Sequence, residues 1–356
     1  ASGDESNAGG LVGRIVDHDI VKSYAAGKVE ADGAGSRAGG LVGEADSASV
    51  LASFWDKQTS GQDTSAGGGT GWRTERMKDP FNFIDENWDF GRFWGKSRAG
   101  NNDGYMVLKP LDDTAYKHYV RLQDTTKTYG EPNPAAADIP KTGDPGAGKV
   151  DVSWDSTIGE KTDAGTYAYE DADVADISYT ADTAQDYYIR YGSLTIDPRT
   201  LTVSGDFTAA DKIYDGTADA PISQNNVNLA NTIAGDDVSI DPRFKQTRVG
   251  SDIEVTLPSS TALSGADSGN YVLDLTDAPT ATAAIKPRPL DVNGSRTYDG
   301  TTDVAAGNII LGNLVSGEDL NLSGSGGMTG KHVGSGKDLD VTGLELSDGN
   351  SGQTGN

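Results

Sequence analysis

Cysteine is absent from all 356 residues, which excludes both a disulfide framework and a thiolate metal site. An exported chain is served by that absence, because a premature disulfide would jam its passage, although cysteine-free cytosolic chains also exist. Histidine is nearly absent. His18, His118 and His332 stand alone, and no His-Glu-x-x-His pair occurs, so a zinc peptidase has no ligands here. Positive charge is scarce, with 29 basic against 54 acidic side chains and a formal net charge of −25. A polyanion of that size repels nucleic acid and anionic lipid, whose attraction for proteins runs through cation-to-phosphate contact. No apolar stretch approaches the ~18 residues of a membrane span, so membrane insertion is not expected, and no leader sequence is recognised. Ala1 enters in mid-pattern, and the chain reads as a fragment or processed product of something longer.

Long runs of Leu, Ala, Glu and Lys at helical spacing are also missing. Thr, Val, Tyr, Asp and 47 glycines recur instead, a composition that favours short strands joined by tight turns. The fold class is therefore all-β. With 35% hydrophobic residues the chain can fill several small cores rather than one large one, and its length suggests two to four domains.

Internal repeats give the organisation. Ala8-Gly9-Gly10-Leu11-Val12-Gly13 returns as Ala38-Gly39-Gly40-Leu41-Val42-Gly43, an offset of 30 that also carries Ser23-Tyr24 onto Ser53-Phe54. Each unit holds three strand-like pieces, at residues 11–16, 20–25 and 28–31, which is about one rung of a parallel β-solenoid. Leu11 is expected to stack over Leu41 in a buried column. The Gly-Gly pair would let the backbone turn a corner that has no room for a Cβ. The repeat stops at Trp55-Asp56, and from Phe54 to Trp94 the chain holds nine aromatics. A solenoid end needs its core covered, so this cluster reads first as a cap. The competing reading makes Trp55, Trp72, Trp88 and Trp94 a carbohydrate-binding platform.

The Gly-Gly-Leu-Val-Gly repeats, with Ser53-Phe54-Trp55-Asp56 and Trp88-Asp89-Phe90 closing them, resemble GLUG repeats and their closing segment. Lys127-Thr128-Tyr129-Gly130-Glu131-Pro132, with Tyr191-Gly192-Ser193-Leu194 at the far end, resembles an MBG module. A second repeat follows: Pro198-Arg199-Thr200-Leu201 returns as Pro287-Arg288-Pro289-Leu290, and Ile213-Tyr214-Asp215-Gly216-Thr217 as Thr297-Tyr298-Asp299-Gly300-Thr301. These copies resemble YDG modules, named for the turn. The domains are accordingly residues 1–110 (solenoid end and cap), 111–197 (MBG type), 198–286 (YDG type) and 287–356 (a second YDG-type module). The last of these stops at residues 353–356, where a Tyr-Val-Leu strand closes its sister, and so reads as truncated. The joins Asp197-Pro198-Arg199 and Lys286-Pro287-Arg288 contain no flexible linker, and the fixed φ of proline predicts stiffly connected small β-sandwiches forming a rod.

Catalytic motifs fail on context. Gly33-Ala34-Gly35-Ser36-Arg37-Ala38 fits a dinucleotide fingerprint in spelling, but no helix pattern follows it. Gly334-Ser335-Gly336-Lys337 resembles a phosphate loop, yet Asp338 follows the lysine. Acidic clusters remain: Asp171, Asp173 and Asp176 in one loop, and Asp236-Asp237 aligned with Glu318-Asp319. Calcium, which takes six to eight oxygens, is the one cofactor they allow, while solvated turns are the plainer reading. Asp215-Gly216 and Asp299-Gly300 are turn dipeptides, with the preceding tyrosine expected to pack back on its own sandwich.

The resemblance implies a non-enzymatic stalk or adhesive region of a large Gram-negative exoprotein of the filamentous haemagglutinin kind, exported by two-partner secretion. It would be extracellular, on the bacterial surface or released into the biofilm matrix. Its expected partners are exopolysaccharide, glycans of host or neighbouring cells, or further copies of itself. The alternatives are a carbohydrate-binding module and a subunit of an extracellular filament or surface layer.

Overall fold

A computed structural model describes residues 1–96, 102–109, 116–143, 150–180, 187–259 and 263–349. The chain is all-β apart from a few short helices, and it divides into two compact units. The first comprises residues 1–127 and 131–196, and the second residues 128–130 and 197–356.

The first unit opens with parallel strands stacked at the interval of the sequence repeat. Asn7–Gly9 pairs with Arg37–Gly39, and Val12–Val16 with Val42–Asp46, so that Ala8 lies on Ala38 and Val12 on Val42. Ile20–Val21 and Tyr24–Ala25 both pair with the long strand Val50–Asp56, and Gly68–Trp72 adds a further parallel layer to it. Identical residues stack because the repeat length equals the length of one coil. Each backbone hydrogen bond then joins a residue to its own counterpart, as Ser23 N–H does to Ser53 Oγ. The corner at Gly40 has to be glycine, since a Cβ there would lie 2.2 Å from the Trp55 ring. Two expectations need correcting. Residues 28–31 form no strand; the third paired segment is Asn7–Gly9 with its counterpart. Leu41 is wholly buried but Leu11 is 42% exposed, because within this chain its coil has a neighbour on one side only.

The aromatic segment folds into three short helices, Lys57–Ser60, Thr74–Lys78 and Pro80–Asp85. Asp56 and Asp79 cap the first and third through their carboxylates, and Pro80 opens the third where no N–H is needed. Phe54, Trp72, Met77, Phe83, Trp88, Phe90, Tyr105, Met106 and Tyr119 make one buried cluster. Tyr119 lies on the strand His118–Leu122, beyond the boundary expected at residue 110, and its burial against Phe90 explains why residues before and after that point form one unit. The remainder is sheet. His118–Leu122 lies between Lys141–Gly143 and Tyr187–Arg190, Val150–Trp154 pairs with Ala175–Tyr179, and Ser193–Asp197 lies between Thr125–Thr128 and Gly165–Ala168.

The second unit contains the two related copies, against the expectation of separate modules split at residue 286. In the first copy, Arg199–Ser204 is flanked by Asn228–Ala230 and, in parallel, by Tyr271–Asp274. Thr280–Lys286 runs between Lys212–Ile213 and Gly250–Thr256. The alternation of Ile253, Val255 and Leu257 places all three in the core with Phe207, Tyr214, Phe244 and Ile285. The second copy repeats part of this. Asp291–Gly294 pairs with Ile309–Gly312, and Leu320–Met328 pairs with Asp303–Ala305, Leu339–Asp340 and Leu344–Asp348. Residues 353–356, where the truncation was expected, lie outside the described residues.

Candidate functional site

The tryptophans read as a sugar platform are core residues. Trp55, Trp72 and Trp88 are 3–4% exposed. Phe54 stacks on Trp72 at 3.6 Å between centroids, and the Arg76 guanidinium covers the same indole at 4.3 Å. Trp88 donates its indole N–H to the Ala52 carbonyl at 2.8 Å, and Trp94 is half-buried against Trp88. Rings held between other rings have no free face for a pyranose. Beneath them Tyr105 donates to the buried Asp56 at 2.6 Å. Burial pushes the Asp56 carboxyl up, but hydrogen bonds from Tyr105, Thr74 and the N–H groups of Thr59 and Gln58 outweigh it, so its pKa falls below the ordinary value. Tyr105 is pushed up to about 12, first by burial and then by that carboxylate.

The acidic candidates divide. Asp171, Asp173 and Asp176 are exposed, and among the described residues no three His, Cys, Asp or Glu gather as a metal site. Asp236 and Glu318 have tyrosine partners instead. Each belongs to a clasp that the second unit builds twice. The residue before each proline ends a strand, since proline holds its predecessor extended. Its carbonyl then accepts from a tyrosine N–H: Asp197 from Tyr129, and Lys286 from Tyr214, both at 2.9 Å. The arginine after each proline reaches the same tyrosine's carbonyl, Arg199 to Tyr129 at 3.1 Å and Arg288 to Tyr214 at 3.3 Å. Each guanidinium also binds the carbonyl of an asparagine in left-handed conformation, Asn231 (φ 74°) or Asn313 (φ 64°). The phenol closes the clasp, Tyr129 donating to Asp236 at 2.8 Å and Tyr214 to Glu318 at 2.5 Å.

The turn after each tyrosine is shaped to lie against a neighbour. Gly130 and Gly216 have φ of +83° and +80°. A Cβ added there would lie 2.4 Å from Ile233 or 3.1 Å from Val315, which occupy equivalent positions. Asp236 serves a second phenol as well: Tyr271, which closes the first copy, donates to it at 2.6 Å and accepts from the Ile233 N–H. Burial first, and the Asp236 hydrogen bond second, raise both phenols, Tyr271 to about 12 and Tyr129 further. Tyr214 does pack on its own module, as expected, but it also bridges to the next one. The aligned acids and the shared Tyr-x-Gly spelling of residues 129–130 and 214–216 were the available signal for this contact.

Tandem all-β modules linked by conserved chemistry within one chain define a repeat protein of extracellular type in architecture, and comparison with known proteins gives those modules their family. The family model of the YDG domain matches residues 197–284 and again residues 284–356, so the chain carries two successive YDG domains. A provisionally named Gly-rich membrane protein of Evansella cellulosilytica is 44% identical over 93 residues, which is 25% of this chain and 10% of that protein. The chain thus matches about a tenth of that relative's length. Among the described residues no helix is long and apolar enough to cross a membrane.

Proposed function

We propose that this chain is a non-catalytic stalk and adhesive region of a bacterial surface adhesin, holding or forming a contact with neighbouring cells, surfaces or biofilm matrix. The observation that carries this reading is the clasp made twice with the same geometry, which couples successive elements through backbone, guanidinium and phenol together. A load-bearing connection needs several hydrogen bonds that must break at once. The two YDG matches and the name of the longer relative support a surface location. Export by two-partner secretion, and the GLUG and MBG character of the first unit, belong to the same proposal. Burial of Trp55, Trp72 and Trp88 favours a stalk over a sugar platform in this part of the chain.

Single-molecule extension between the two termini tests the reading. The second unit should resist as a cooperative step, and Tyr214→Phe should lower its rupture force. A chain that extends without a resisting step refutes the stalk. A glycan array run beside it tests the adhesive part, and saturable sugar binding that persists in Trp94→Ala would place the contact away from the aromatic segment.

A further inference from the structure

The two YDG copies differ in one respect that points to a ligand. In the first copy the strand Thr280–Lys286 lies between Lys212–Ile213 and Gly250–Thr256, burying Ala283 and Ile285. In the second copy the corresponding space is a groove of about 420 Å³, bounded by Arg296 and Tyr298 on one side and Leu339 on the other, with Val292, Ile309 and Met328 also lining it. Arg296 is the counterpart of Lys212, and Leu339 that of Ile253. The Arg296 side chain is only 9% exposed, yet its Nε has no hydrogen-bond partner among the described residues. A buried guanidinium N–H aimed at no acceptor is costly and calls for one.

The tyrosine turns give a second, independent sign. Tyr214 is 7% exposed, whereas Tyr298, at the same place in the second copy, is 56% exposed. Gly300 has the φ of +83° seen at Gly130 and Gly216, but a Cβ there would meet nothing within 4 Å, because no counterpart of Ile233 or Val315 covers it. The turn is nevertheless formed, with Arg296 bonded to Asp299 at 2.6 Å and the Thr301 N–H to Asp299 at 2.9 Å. The opening strand shows the same want. Arg199–Ser204 has neighbours on both edges, while Asp291–Gly294 has one described neighbour, Ile309–Gly312.

We propose that the second YDG domain is an acceptor for a β-segment of the kind formed by residues 271–288: a strand alongside Asp291–Gly294, an apolar strand in the groove, and a Pro-Arg lead-in that clasps Tyr298. Alternating small and branched apolar side chains fill the groove, a strand carbonyl meets Arg296 Nε, and the arginine after the proline reaches the Tyr298 carbonyl. The occupant is a segment of this type arriving in line from a further YDG domain. A second copy of the chain cannot supply it without opening its own first copy, where residues 271–288 are already engaged.

The probe is a terminally blocked synthetic peptide with the sequence of residues 271–289, titrated into the whole chain. In parallel, the same segment is fused after residue 356, so that weak binding in trans does not hide the effect. Saturable one-to-one binding is expected, with hydrogen-exchange protection rising at residues 291–298 and 339–341. Nitration of Tyr298 should fall in both the peptide-bound and the fused forms. Replacing the position of Ile285 in the peptide by Asp should weaken binding at least ~tenfold, since it puts a charge into an apolar groove. The proposal is overturned if neither form protects Tyr298, if a scrambled peptide binds equally, or if protection appears only at residues 199–286. It is also overturned if the chain alone self-associates with the same protection pattern, which would make a second copy the occupant.

Discussion

Replacing Asp236 by alanine removes one side chain and strands two phenols. Tyr129 and Tyr271 are 1% and 4% exposed, and both donate to the same Asp236 oxygen, at 2.8 and 2.6 Å. A buried donor left without its acceptor costs about 1–3 kcal/mol, so two lost acceptances amount to roughly 2–5 kcal/mol once some water entry is allowed. That is a large share of the ~5–15 kcal/mol that holds a domain folded. For a unit of this size, about 3 kcal/mol lowers Tm by roughly 6–12 °C. Asp236→Asn keeps an acceptor oxygen and should lose about half as much. Glu318→Ala strands only Tyr214 and should fall near the Asn variant. Two units need not melt together, so calorimetry should be paired with hydrogen exchange read at Leu201 and Val255, which lie in the core of the affected copy. If Asp236→Ala exchanges like the parent at those amides, or if Glu318→Ala costs as much as Asp236→Ala, the shared-acceptor argument fails.

Other outcomes follow from the same contacts. Leu41→Asp should cost about 4 kcal/mol or more by burying an unpaired charge, while Leu11→Asp should stay within about 1 kcal/mol because its site is open; equal melting temperatures would refute the stacking. Trp88→Ala should lose about 3–5 kcal/mol from the first unit, read by thermal melting, since it opens a cavity and orphans the Ala52 carbonyl. Tyr271 titrates from an ordinary 10.0 to about 12 in the fold, so its folded form holds the proton more tightly. Its contribution is intact below pH 10 and is lost as pH rises through 12, roughly 2–3 kcal/mol in all. Tyr271→Phe should therefore show a flatter alkaline stability curve; an unchanged slope would contradict the assignment.

The thirty-residue stack was legible in the sequence because parallel coils place each residue on its own repeat, so a spelling repeat and a spatial one coincide at Val12 and Val42. The cap helices were not legible. Each is four to six residues long, too short for a periodicity to show, and their positions depend on Asp56 and Asp79 caps and on a shared aromatic core. Leu11 failed as a buried residue because identical spelling gives equal burial only where both faces of a coil are covered. The acids at 236 and 318 were recognised as equivalent, but carboxylates that recur in turns look alike whether they face water, an ion or a phenol. What separates these outcomes is a tyrosine about a hundred residues earlier in the chain, at Tyr129 and Tyr214. Only the assembled fold brings it there.

The clasp has two unlike halves. A YDG domain offers its tyrosine turn on one face, and its Pro-Arg strand with the acid on another, as Tyr214 and Arg199 with Asp236 show for residues 197–284. Contact of this kind is heterologous: it cannot be satisfied by two domains meeting about a twofold axis, and it always leaves one half of each kind unmatched. Like modules therefore gain nothing from pairing face to face, whereas each addition in series recreates the site for the next. A direction is thus written into every domain, and the order of modules along the polypeptide is also the order in which their surfaces fit.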